Sequence, residues 1–189
     1  MNRDNWATGP ELFAVIKSIW HPGIDVCADR DNHKCARYKT IEQDALRDGN
    51  SWGRAIDGDF YFCNAPGSKI AEFMAKAFTE QDRGARGVFI FQAGISAKWF
   101  RGLTQRAIVH PLTPRPNFVI PPGVETKSGR SVNDRDWMLA VLEPWMAALP
   151  SACGIGLPFA WEEAGVARGV LHKPSAHRRA VVAVTGEGA

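Results

Sequence analysis

Three short apolar runs recur in the first half of the chain: Ile24-Asp25-Val26-Cys27-Ala28, Asp59-Phe60-Tyr61-Phe62-Cys63 and Val88-Phe89-Ile90-Phe91. Each is too short for a buried helix and too continuous for a half-solvated strand, so each reads as a strand covered on both faces. Helical stripes alternate with them, and that alternation predicts an α/β fold built on a mainly parallel sheet with right-handed crossovers. With 189 residues, 1–189 forms one compact domain. No apolar stretch approaches the ~20 residues of a membrane span. Asn2, Arg3 and Asp4 stand where a signal peptide needs an apolar core, which points to a cytoplasmic protein with its four cysteines as thiols.

Thr8-Gly9-Pro10-Glu11 reads as a capping box opening a helix whose stripe is Leu12, Val15, Ile16, Ile19 and Trp20, ended by His21-Pro22-Gly23. Residues 29–34 form a polar loop. Residues 37–59 predict loop and short turns anchored by Trp52. Ser68 is placed to cap a helix with Ile70, Phe73, Met74 and Ala77 on its buried face. Residues 84–87 break it, and residues 94–96 turn into a shorter helix carrying Trp99, Phe100 and Leu103. Ile108-Val109 and residues 117–120 are short strands flanking a Pro-rich turn at 111–116. Residues 121–135 read as a mobile loop. Asn133 or Asp134 then caps a helix with the stripe Met138, Leu142, Trp145 and Leu149, kinked at Pro144. A last strand is predicted at 180–184.

The sharpest chemical signal is the apolar strand that opens onto Asn64-Ala65-Pro66-Gly67. An amide beside a backbone carbonyl at a strand's carboxyl edge offers two acceptors to one amino group, in the crevice where open α/β sheets bind ligands. The same residues also make an ordinary turn, with Asn64 as helix cap and Pro66 as stiffener. Asp25 at a strand end and Asp44 further on are acids of the kind that receive a ligand's hydroxyls or amine, or else cap loops. Cys27, His33, Cys35 and Cys63 match no paired Cys-x-x-Cys spacing, so no metal is expected. Cys153 lacks a His partner by spacing, and the Gly-rich stretch from Gly154 lacks a P-loop's Lys-Ser/Thr.

Taken in order, Trp6, Thr8, Pro10, Leu12-Phe13, residues 24–29, Asn32, Lys34-Cys35, Tyr38, Thr40, Asp44, Leu46, Trp52 and Phe62-Cys63-Asn64-Ala65-Pro66 resemble the phage-type DNA N6-adenine methyltransferase family over residues 6 to about 100. A weaker echo falls at Arg115-Pro-Asn-Phe118. The resemblance implies a compact Rossmann-like sheet, S-adenosylmethionine as methyl donor and adenine in double-stranded DNA as acceptor, with no metal and no membrane. It implies a host cytoplasm if the chain is phage-encoded, and a role such as protecting DNA from restriction. It places Thr8, Asp25 and Asp44 at the cofactor and makes Asn64 and Pro66 the catalytic pair that holds the target base.

The family usually reads Asn-Pro-Pro-aromatic, whereas Ala65 and Gly67 stand here, and Gly9 separates Thr8 from Pro10. Ala65, Gly67, Lys69 and Trp99 are then the substrate-binding set, with Trp99 as a substitute stacking ring and Lys69 toward a phosphate. The net charge of +3 hides a basic stretch, Arg168, His172, Lys173, His177, Arg178 and Arg179. That stretch and the altered motif leave a second class open: a DNA-binding protein on a methyltransferase scaffold that does not methylate.

Overall fold

The computed structural model describes residues 6–53, 59–120 and 135–172. The predicted strand at 180–184, the loop 121–135 apart from Arg135, and the basic residues from Lys173 onward lie outside them. No helix among the described residues is long and apolar enough to cross a membrane.

The order of elements is β1 (Ala7–Thr8), α1 (Pro10–Trp20), β2 (Pro22–Asp25), β3 (Arg37–Tyr38), β4 (Phe60–Asn64), α2 (Ile70–Asp82), β5 (Arg86–Gln92), α3 (Lys98–Leu103), β6 (Ile108–Thr113), β7 (Phe118–Val119), β8 (Trp137–Leu142), α4 (Pro144–Ala148), β9 (Gly154–Ile155), β10 (Phe159–Ala160) and α5 (Trp161–Ala167). The main sheet runs β10-β6-β8-β5-β4-β2-β3, with β9 also on β6. Strands β2, β4 and β5 are mutually parallel, as the alternation predicted, and β3, which lies in the stretch expected to be loop, adds to them as a short parallel edge strand on β2. β8 is antiparallel to both β5 and β6, so the sheet is mostly rather than wholly parallel.

Side-chain alternation along the strands builds a core on each face. Phe60, Phe62, Val88, Ile90, Leu139 and Val141 meet Leu12, Phe13, Val15 and Ile16 of α1 on one side. Tyr61, Cys63, Phe89, Phe91, Ala140 and Leu142 meet Phe73, Met74 and Ala77 of α2 and Phe100 and Leu103 of α3 on the other. Each fully buried large aliphatic or aromatic side chain contributes roughly 1.5–3 kcal/mol. Gly87 is required by this packing, because a Cβ there would lie 2.1 Å from the Tyr61 ring.

Four local expectations are corrected. The predicted helix at 133–149 is instead strand β8 followed by the short α4. Its residues 138–142 are all buried, so they carry no alternation to distinguish strand from helix, and Pro144 opens α4 rather than kinking a longer one. The capping box does not form: Thr8 belongs to β1, Gly9 is the cap residue without a side-chain bond, and Pro10 is the first helical residue. Ser68 lies inside a single 3-10 turn, Gly67–Lys69, and Lys69 precedes α2 with no side-chain cap. Pro111 belongs to β6, which delays the Pro-rich turn to its far end.

Candidate active site

The chain leaves β2 for β3 on one side of the sheet and returns in β4 on the other. Above such a switch point the loops part, and a crevice opens at the carboxyl ends of the strands. Asp25 ends β2 and Asn64 ends β4. Three connected cavities fill this crevice. The first, of about 80 Å³, is lined by Thr8, Asp25, Lys34, Asn64 and Pro66 among others. The second, of about 240 Å³, is lined by Cys27, Asp44, Leu46, Pro66, Lys69 and Phe73. The third, of about 340 Å³, is lined by Asn64, Ala65, Gly67, Phe91, Trp99 and Trp137.

Each residue that the resemblance placed at donor or base borders the crevice, but not in the expected grouping. Thr8 and Asp25 share the first cavity with Asn64 and Pro66. Asp44 borders the second, together with Lys69, which lies away from Ala65, Gly67 and Trp99 in the third. Asn64 and Trp6 form the wall between the first and third cavities, and Pro66 the wall between the first and second.

Asn64 is held by an interaction no local pattern discloses. Its amide nitrogen donates to the Trp6 carbonyl at 3.1 Å, across 58 residues of sequence. That bond restrains the amide plane and commits its nitrogen, so the side-chain oxygen is the acceptor Asn64 has left. Trp6 is brought there by β1, which pairs antiparallel with β7 through Ala7 with Val119 and Thr8 with Phe118. The Pro66 carbonyl accepts the Lys69 amide at 3.0 Å, which sets the turn of the motif.

Asp25 is 2% exposed, and its carboxylate accepts the Cys27 amide at 3.1 Å and the Lys34 amide at 3.0 Å. Burial raises its pKa to about 6 against these bonds. The Cys27 thiol, on the wall of the first two cavities, is pushed by burial to about 12, with the Asp25 charge adding to the effect, so it is a packing group rather than a nucleophile. The loop that carries Asp44 is pinned by Trp52, whose ring nitrogen donates to the Ala45 carbonyl at 2.9 Å and whose amide donates to Glu80 at 2.9 Å. Among the described residues no three His, Cys, Asp or Glu side chains group as a metal site.

Trp6, Lys34 and Trp137 also line the crevice, and reading the residues for chemistry assigned none of them to it. Trp137 stacks on Phe118 at 4.1 Å between ring centroids. Trp99 is half-buried, set edge-on to Phe91 at 5.5 Å and to Phe100 at 5.8 Å. Asn64 thus lies between a cavity lined by Phe91, Trp99 and Trp137 and one that contains the buried acid Asp25. It borders both at the carboxyl ends of the strands, where open α/β sheets leave a crevice. The family model described as DNA N-6-adenine-methyltransferase (Dam) matches residues 1–156, and the chain belongs to that family. The match extends well past the stretch where the sequence motifs are recognisable. No curated protein matches the chain.

Proposed function

We propose that the chain is an S-adenosylmethionine-dependent methyltransferase acting on N6 of adenine in double-stranded DNA, of the phage type and cytoplasmic, on a Rossmann-like sheet. The observation that supports this reading is Asn64, whose amide nitrogen is committed to Trp6 while the residue borders both the cavity that holds Asp25 and the one lined by Trp99 and Trp137. The residues fit the donor: the first cavity holds a buried hydroxyl with no protein partner, Thr8, beside the Asp25 carboxyl, and the second is an apolar slot with Asp44 at its edge. When bound, S-adenosylmethionine supplies an electrophilic sulfonium methyl group.

The protein's part is positioning. A target adenine must leave the duplex stack to reach the third cavity. There Trp99 offers an aromatic surface, in place of the ring absent at Gly67, and such stacking is worth about 1–3 kcal/mol. The Asn64 oxygen accepts a hydrogen bond from the adenine amino group, which raises electron density on nitrogen and aligns its lone pair with the methyl carbon. Asn64 would thus hold the amino group where a bound donor would supply its methyl, and the surplus amino proton would pass to solvent.

The test is transfer of labelled methyl groups from S-adenosylmethionine to unmodified duplex DNA. Asn64→Ala is expected to lower the rate by about 10²–10³-fold, the cost of losing one preorganised hydrogen-bond group at a reacting centre. Incorporation that survives this substitution places the chemistry elsewhere. DNA binding without transfer or donor binding overturns the enzyme reading in favour of a DNA-binding role.

A further inference from the structure

The rim of the third cavity carries an exposed aliphatic side chain on a braced turn. Gly94 and Ala97 line that cavity, and between them Ile95 is 68% exposed. The turn is closed by the Ala97 amide, which donates to the Gly94 carbonyl at 2.9 Å. Just ahead of it the Ala93 amide donates to the Asp136 carbonyl at 2.9 Å. Trp99 backs the turn so closely that a Cβ at Gly94 would lie 3.1 Å from its ring.

One exposed isoleucine is ordinary on a protein surface; what sets Ile95 apart is its surroundings. Helix α3 starts directly after the turn and carries Lys98 and Arg101, both exposed and three residues apart, hence on one face. Neither has an ion-pair partner among the described residues. An apolar tip beside two unmatched cations suits a partner that is anionic outside and apolar within. A nucleic-acid duplex is such a partner, with phosphates on its surface and stacked bases inside. An apolar protein face is not, because it would desolvate both cations without pairing them.

We propose that Ile95 enters the base stack at the target position and fills the gap that the extruded base leaves, with Lys98 and Arg101 on the adjacent phosphates. The proposal rests on the reading in which the target adenine leaves the duplex for the third cavity. Extrusion costs the pairing and stacking of one base, and an aliphatic wedge inserted at a base step offsets part of that cost. The turn and the cavity share Gly94 and Ala97, so a base entering the cavity leaves its gap next to Ile95. Ile95 touches no reacting atom in this arrangement and is a positioning residue.

The test uses synthetic duplexes carrying a site found by sequencing methylated DNA. The target adenine is either paired with thymine or set opposite an abasic position, where it leaves the stack at little cost. At saturating duplex, Ile95→Ala is expected to lower the single-turnover rate of methyl transfer by about 10- to 30-fold for the paired target, the worth of burying most of the carbons removed, and by less than about twofold for the unpaired one. Ile95→Met, which keeps the apolar reach, is expected to recover most of the loss. Equal losses with both duplexes mean that Ile95 shapes the cavity, and the proposal fails. No loss with either also overturns it, while leaving the methyltransferase reading intact. A wild-type protein that transfers no methyl group to any DNA overturns that reading, and the wedge with it. The cations are tested without turnover: combining Lys98→Gln with Arg101→Gln is expected to reduce the slope of log affinity for duplex against log salt by about 2, or about one per phosphate contact. An unchanged slope takes α3 off the phosphate backbone and overturns the placement. Thermal unfolding of each variant separates loss of function from loss of fold.

Discussion

Two carboxylates are buried among the described residues, Asp25 at the end of β2 and Glu80 on α2, and they are built differently. Glu80, on α2, is fully buried and receives the Trp52 amide at 2.9 Å, the Lys76 ammonium at 3.0 Å and the Arg83 guanidinium at 3.1 Å. Burial works to raise its pKa, but the Trp52 amide and the two cations outweigh it and hold the carboxyl below its ordinary value. Asp25 has backbone amides and no paired cation, and its pKa stands raised at about 6. The Glu80 carboxylate finds its counterparts inside the protein, in two cations and a backbone amide, which is what a structural brace needs. Around Asp25 the balance is incomplete, with the Thr8 hydroxyl unmatched beside it, which is what a ligand cavity needs.

The largest expected effect breaks the satisfied side. Glu80→Ala leaves the Lys76 ammonium buried without a carboxylate and the Trp52 amide without its acceptor. The expected loss is about 3–5 kcal/mol, read as a fall in the urea midpoint and a red shift of tryptophan emission. A loss below about 1 kcal/mol contradicts the description of Glu80 as a brace.

The two acids should also answer pH in opposite directions. Because the folded pKa of Asp25 is raised, its contribution to stability is present in full below its unfolded value of 3.8 and is lost as pH rises through about 6. Glu80, held low, contributes above its unfolded value of 4.5 and loses that contribution as pH falls through its folded value. Asp25→Asn removes only the first effect. From about pH 3.5 to 7 the variant is therefore expected to gain about 2–3 kcal/mol relative to wild type, measured by urea unfolding at each pH. A constant difference between the two proteins means that Asp25 ionises in the folded state as it does in the unfolded chain.

The smallest effect sharpens the unsatisfied side. Thr8→Val replaces a hydroxyl without a partner by a methyl group of similar volume, so stability is expected to be unchanged or to rise by about 1 kcal/mol. A clear loss of stability shows instead that the hydroxyl has a structural bond.

Most of the parallel half of the sheet was legible in the sequence because its strands are short, apolar and bounded by turn residues. β8 was not. Met138, Leu142, Trp145 and Leu149 recur at helical spacing by coincidence, whereas the strand is covered on both faces by the two cores. Asn64, Asp25 and Thr8 were legible as residues of one neighbourhood and all border the first cavity, though Thr8 belongs to β1 rather than capping the helix. Trp6, Lys34 and Trp137 were not assigned to the site by their chemistry, because nothing in their immediate sequence signals it. Trp6 acts through a backbone carbonyl, Lys34 enters beside Asp25 through the loop after β2, and Trp137 arrives from a strand far along the chain.

The pairing of β1 with β7 has a consequence for how the protein comes to be active. The two cores close around α1, α2, α3 and the main sheet, while the acceptor that orients Asn64 depends on a two-stranded ribbon joining Ala7 to Val119. Contacts so distant along the chain are slow to form and contribute few bonds once formed. Opening that ribbon frees the Asn64 amide to rotate and uncovers Trp6 and Phe118 of one core, so a bulky fusion at the amino end is expected to loosen the crevice and lower the melting temperature together.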